Sequence, residues 1–151
     1  MDALGFAHPT AIQRLAIPPL IAGRSLAVAS STGSGKTLAY LLPIMQRLKD
    51  EEASMPARAR DKPPRVLVLA PTRDLVTQIT AEAKAISHHC RVRVRGAHGG
   101  EVISNQRRAL ETGADLLVAT PGRLLLLRKL GIVSLRRVHS VVVDEADDML
   151  L

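Results

Sequence analysis

The sequence predicts an α/β fold, a mainly parallel sheet with helices on both of its faces. Three observations lead there. RVLVLAP (65–71), ADLLVATP (114–121) and SVVVDEAD (140–147) contain short runs that are apolar on both sides, as strands buried on both faces are. These runs alternate with segments whose apolar residues recur at helical spacing, the pattern of strand–helix–strand crossovers. Each cluster of glycine, threonine, arginine or acid falls just after a strand, at 30–37, 71–73, 99–100, 120–123 and 144–147. Ligands collect at the carboxyl ends of parallel strands.

In chain order, TAIQRLAIPPLIAG (10–23) reads as a short helix interrupted at Pro18–Pro19, since proline has no amide hydrogen to donate and its ring crowds the preceding turn. SLAVA (25–29) is short, apolar and flanked by polar residues, as a buried strand would be. KTLAYLLPIMQRLK (36–49) is helical in spacing, and DEEASMPARARDKPP (50–64) is charged and proline-rich, an exposed loop. A strand at 65–71 leads to a helix at 73–88 with Leu75, Ile79, Ala83 and Ile86 along one side. RVRVRGA (91–97) alternates strictly and predicts a strand with one exposed, basic face. Residues 101–111 read as a helix, 114–121 as a buried strand, and a helix starts after Pro121. Three valines make 140–147 the last buried strand.

The bulk composition narrows the function classes. At 151 residues and 46% hydrophobic content, the chain can bury a core of one domain and is too apolar to be disordered. Cys90 is the single cysteine, which excludes an internal disulfide and a cysteine-based zinc site and suits a reducing compartment. His88 and His89 are adjacent and lack metal-ligand spacing. There is no run of 18 apolar residues, and MDALGFAHPT reads as neither a signal nor a transit peptide. The net charge of +7, with arginines at 91, 93, 95, 107, 108, 123, 128, 136 and 137, favours a polyanionic partner. Phe6 and Tyr40 are the only aromatic residues, so contacts to a phosphate and sugar backbone fit better than base stacking.

The most specific stretch is SSTGSGKT (30–37). A Gly-Ser-Gly turn is common anywhere. Here, however, Gly35, Lys36 and Thr37 follow Ser30 at the spacing of a phosphate-binding P-loop, with an apolar run before and a helical run after. Glycines at 33 and 35 let backbone N–H groups of Ser31 to Thr37 converge on phosphate oxygens, at the positive end of a helix. Lys36 supplies charge for the β- and γ-phosphates and Thr37 a hydroxyl for Mg²⁺. Asp144, at the end of the last strand, takes the place of the acid that holds Mg²⁺, and Glu145 that of the general base for the attacking water.

These residues carry a resemblance to the DEAD-box RNA helicases. GFAHPTAIQ (5–13) is similar to that family's Q motif, and TGSGKT (32–37), PTRDL (71–75), HGG (98–100), TPGR (120–123) and DEAD (144–147) stand in the family's order. The resemblance implies a P-loop NTPase fold, with a RecA-like parallel sheet, and the activity of an ATP-dependent RNA helicase. It implies that Gln13 reads adenine with both edges of its amide and that Phe6 and Thr10 support the adenine pocket. It gives Pro71, Thr72, Arg73, Gly99, Gly100, Thr120, Pro121, Gly122 and Arg123 to the RNA backbone, in a binding mode indifferent to base sequence. Three departures stand out: Ser30–Ser31 replace the usual Ala-Gln, Asp74 replaces Glu, and the aromatic residue upstream of the Q motif is absent.

The 151 residues stop four past the DEAD box, before the family's Ser-Ala-Thr motif and its second domain with arginine fingers. Part of the first of two RecA-like domains is therefore expected, truncated after the DEAD strand and inactive alone. In such sheets the Ser-Ala-Thr strand separates the P-loop strand from the DEAD strand, so its absence predicts either a gap or a closed-up register. The competing functions are an ATPase acting on DNA or protein, and a non-catalytic nucleotide- or RNA-binding remnant.

Overall fold

The computed structural model describes residues 8–54, 63–88 and 90–150. Phe6, and residues 55–62 of the expected loop, lie outside them. The chain divides into two compact units, Met1–Arg47 and Leu48–Leu151.

In the first unit, α1 (Ala11–Ile21) starts at Thr10, whose hydroxyl accepts the Gln13 amide hydrogen while the Gln13 side chain accepts that of Thr10. This reciprocal capping box satisfies two N–H groups that a helix start leaves over. α1 is not interrupted at Pro18–Pro19. Both prolines lie in the closing turn, where their fixed φ is already helical and only two backbone hydrogen bonds are forgone. The end closes by Ala22 N–H donating to Pro18 O (3.1 Å) and Arg24 N–H to Pro19 O (3.0 Å), with Gly23 at φ +76°. Residues 24–31 contain no strand, so the strand expected at 25–29 is not formed, and Leu26 and Val28 are 40% and 42% exposed. A strand exists only by pairing, and this segment has no ladder partner among the described residues. α2 (Lys36–Ala53) follows and runs four residues further than its apolar spacing indicates.

The second unit is built on β1 (Val66–Leu69), α3 (Arg73–Ser87), β2 (Val94–Ala97), α4 (Ile103–Glu111), β3 (Leu116–Ala119), α5 (Pro121–Lys129), β4 (Ser140–Val143) and α6 (Ala146–Leu150). The strands form one sheet in the order β2-β3-β1-β4, every pair parallel. Leu67, Leu117, Ala97 and Ala119 on one face pack with Leu124 and Leu127 of α5, Ile103 and Leu110 of α4, and Val133. α3 covers β2 and β3 on the opposite face with Val76, Ile79, Thr80 and Ala83. It comes so close that a Cβ at Gly96 would sit 2.8 Å from Thr80 Oγ1, a buried hydroxyl without a hydrogen-bond partner among the described residues. Glycine in a strand marks such an approach.

Two further expectations are corrected. β4 is not buried: Val141 and Val143 are 56% and 49% exposed, because β4 borders the described sheet and these side chains reach past the helices on their face. β2 presents no exposed basic face either. Of the three arginines in 91–97, Arg91 is exposed ahead of the strand, while Arg93, just before β2, and Arg95, within it, are half-buried in protein contacts. Arg95 donates to Ala109 O (2.9 Å) and Thr112 Oγ1 (3.0 Å), a cation at the carboxyl end of α4 where the helix dipole favours it. Arg93 Nε pairs with Asp115 Oδ2 (3.1 Å), whose other oxygen pairs with Arg65 Nη2 (3.0 Å). Arg65 also reaches Glu51 (2.8 Å).

This network has a predictable pH signature. Burial works against ionisation of Asp115, but the hydrogen bonds from Arg93 and the charges of Arg93 and Arg65 outweigh it and hold the carboxyl below its ordinary value of 3.8. A depressed folded pKa contributes stability that is full above the unfolded value and drains away as pH falls through the folded one. Asp115→Ala is expected to cost about 1–3 kcal/mol at neutral pH, because buried Arg65 loses one of its two carboxylate partners and keeps only Glu51. In urea unfolding, the wild-type midpoint should fall below pH 4 more steeply than the variant's; parallel curves would contradict this account.

Candidate functional site

In the first unit the loop 30–37 leads into the N-terminus of α2. Gly33 and Gly35 hold φ +77° and +92°, the left-handed region that glycine enters freely. Gly35 is hemmed in as well: a Cβ there would stand 2.6 Å from Gln13 Nε2 and 3.2 Å from Thr10 Oγ1. Gln13, 8% exposed, donates from Nε2 to Gly35 O (3.2 Å) and accepts from Thr10 N–H (3.0 Å). Its amide thus ties the start of α1 to the loop and retains one hydrogen and one lone pair for a ligand. Lys36 Nζ donates to the carbonyls of Ser30 and Ser31 and is held over the loop. Ser30 Oγ donates to Ser34 Oγ (2.6 Å), so the departure at Ser30 closes the loop on itself. Ser31, Thr32 and Gly33 are exposed, while Ser34, Gly35, Lys36 and Thr37 are half-buried.

In the second unit the four parallel strands end in register, with Ala97 beside Ala119, Ala119 beside Leu69, and Leu69 beside Val143. Neighbouring strands lie about 4.8 Å apart, so the segments that follow them emerge as one row. Pro71, Thr72 and Arg73 follow β1. Thr72 caps α3 by accepting Leu75 N–H (3.2 Å), and Arg73, 63% exposed, lies against Gly100, whose φ is +90°. Its pairing with the exposed Asp74 at 3.4 Å is a solvated contact worth little. Gly99–Gly100 follow β2, and Thr120 to Arg123 follow β3. Thr120 makes no side-chain capping bond at the start of α5, Pro121 occupies its first turn, and Gly122 borders open space. Arg123 Nη1 donates to Gln106 Oε1 (3.2 Å).

Asp144 and Glu145 follow β4. Asp144 N–H donates to Leu69 O (2.9 Å), extending the β1–β4 ladder by one residue. Glu145 holds φ +50°, the one described non-glycine residue at positive φ, with its N–H donating to Asp144 Oδ1 (3.1 Å). A side chain held there costs of order 1 kcal/mol or more, and such strain concentrates at functional positions. Asp147 and Asp148 sit in the first turn of α6, where the helix dipole favours negative charge.

A model of the DEAD/DEAH box helicase family matches residues 10–151. The chain belongs to that family. This DEAD-box chain is 47% identical over 154 residues to DEAD-box ATP-dependent RNA helicase 52A of Oryza sativa subsp. japonica, covering 97% of the chain and 25% of that protein. It is 41% identical over 146 residues to the ATP-dependent RNA helicase SrmB of Escherichia coli K12, covering 97% of the chain and 32% of that protein. The DEAD-box chain thus spans a quarter to a third of the length of these relatives. Its fold matches a hypothetical ATP-dependent RNA helicase from Sulfolobus tokodaii (TM-score 0.85, 33% identity, 99% of the chain and 40% of that one). It also matches the yeast DEAD-box splicing factor Prp28 (TM-score 0.83, 34% identity, 99% of the chain and 35% of that one). The RecA-like α/β fold is therefore as the sequence implies.

Within the first unit, the structure of this DEAD-box chain joins Thr10 and Gln13 to the loop 30–37. Within the second, it brings Arg73, Gly99–Gly100, Thr120–Arg123 and Asp144–Glu145 to one end of the sheet. The motifs of the sequence do not include Gln106, which is 2% exposed and donates from Nε2 to His98 O (3.0 Å) and Glu101 Oε2 (2.8 Å). A signal existed: Gln106 is the polar member of a stripe, Ile103–Gln106–Leu110, that otherwise faces the core.

Proposed function

We propose that the chain is part of the first RecA-like domain of an ATP-dependent RNA helicase. One observation carries the reading: four strand ends in register place three glycine- or arginine-bearing segments and an acidic pair in a single row. On this reading the backbone N–H groups of 31–37 and the Lys36 ammonium take the β- and γ-phosphates, as a glycine loop at a helix start is suited to do. Gln13, with its remaining hydrogen and lone pair, takes adenine, and Thr10 and Phe6 support it. The hydroxyl of Thr37 in the first unit and the carboxylate of Asp144 in the second are each an oxygen donor of the kind Mg²⁺ prefers. When bound, Mg²⁺ draws charge from the phosphates. Glu145 orients and polarises the attacking water. Arg73 and Arg123 neutralise RNA phosphates, and Gly99, Gly100 and Gly122 let the strand approach the backbone. ATP binding then clamps RNA, and hydrolysis releases it.

The test compares fluorescein-labelled single-stranded RNA with DNA of the same sequence across a salt series. RNA should bind more tightly, independently of base sequence, with log affinity falling by about 0.7 per phosphate neutralised for each tenfold rise in salt. Contacts to 2′-hydroxyls produce the difference. Equal affinity would replace this reading with an ATPase acting on DNA, and no affinity for either would remove the nucleic acid altogether.

A further inference from the structure

We propose that Gln106 is a positioning residue that couples the Gly99–Gly100 loop to the guanidinium of Arg123; its use in RNA binding rests on the reading above. Gln106 lies on α4 between Ile103 and Leu110, where a leucine would complete the apolar stripe, and it is 2% exposed. Burying an amide is unfavourable unless its hydrogen bonds are made. Those of Gln106 are made with chosen partners. Both Nε2 hydrogens are used, by His98 O at the entry to the glycine pair and by Glu101 Oε2 at its exit. The oxygen receives Arg123 Nη1 (3.2 Å) from the first turn of α5. One side chain thereby holds both ends of the loop after β2 and the arginine after β3.

The choice of a neutral amide matters. A carboxylate at 106 would hold Arg123 and also cancel its charge. The amide oxygen fixes the guanidinium with a single bond, and Arg123 has no acidic partner among the described residues. Its charge and its other N–H groups stay available to a phosphate. Arg123 and the Gly99–Gly100 amides are then presented to the backbone of one strand as a unit.

The test is a double-mutant cycle with Gln106→Met, which keeps volume and removes the amide, and Arg123→Ala. Affinity for single-stranded RNA should fall roughly tenfold in either variant, the size of one lost charge-assisted hydrogen bond. The double variant should be no weaker than Arg123→Ala alone, because both remove the same contact. Losses that multiply would show Gln106 to be merely structural and overturn the proposal. A second readout needs no RNA. Arg123→Ala should shift the backbone amide resonances of Gly99 and Gly100, and in the Gln106→Met background should leave them in place. Unmoved resonances in Arg123→Ala alone overturn the coupling, and this arm stands even if Gln106→Met does not fold. Shifted resonances with wild-type RNA affinity would support the coupling and refute the RNA reading, which keeps the two failures apart.

Discussion

Replacing Glu145 by glutamine is expected to slow ATP turnover by about two to four orders of magnitude, the usual contribution of a positioned general base. Nucleotide binding should be nearly unchanged. The substitution isolates the proton-accepting group: glutamine has the same length and bears the same φ of +50°, so the turn between β4 and α6 is kept. The neighbouring Asp144 retains its backbone bond to Leu69 and its own carboxylate. Single-turnover phosphate release by the full-length protein, beside a titration with labelled nucleotide, separates chemistry from binding. Unchanged turnover would take the base role away from Glu145. Lost binding would make Glu145 part of the nucleotide pocket.

Gly35→Ala is expected to weaken nucleotide binding by more than tenfold, and Gly33→Ala by clearly less. Both positions have left-handed φ, +92° and +77°, and a side chain there costs about 1–2 kcal/mol. Only at Gly35 does the new Cβ also meet neighbours, 2.6 Å from Gln13 Nε2, whereas at Gly33 nothing lies within 4 Å. The contact must be relieved by moving the Gln13 amide, which breaks its bond to Gly35 O and disturbs the loop. Because Gln13→Ala removes the side chain that the new Cβ meets, the loss in the double variant should be smaller than the product of the two single losses. Equal losses at the two glycines would mean that backbone strain alone matters and that the Gln13 contact does not.

The second unit was largely legible in the sequence because parallel strands covered on both faces are continuous apolar runs, and β1 and β3 are such runs. In that unit the strands end flush, and each of its motifs follows one of those ends, whereas the loop 30–37 of the first unit follows no strand. The failures have physical causes. The alternation of RVRVRGA predicts one wet basic face, but the strand covers only 94–97, and Arg93 and Arg95 bond to a carboxylate and a helix end while Arg91, ahead of the strand, stays exposed. The hydrophobicity of SLAVA and SVVVDEAD predicts burial, but burial belongs to whatever pairs and packs beside a strand. Pro18–Pro19 predict a break, although prolines in a closing turn leave few bonds to break. Gln106, a glutamine beside two arginines on a helix, has the sequence context of a solvated residue, and only the stripe it shares with Ile103 and Leu110 marks it as buried.

Gln13 belongs to two structures at once, as the third residue of the α1 capping box and as the donor to Gly35. Local opening of the first turn of α1 is therefore expected to release the loop, and opening of the loop to loosen the turn, so that their amide hydrogens exchange with solvent through one shared event. A nucleotide seated on the loop raises the free energy of that event for both. At a hundred times its dissociation constant it adds about 2.7 kcal/mol of protection, felt at amides near Thr10 that need not touch the nucleotide themselves.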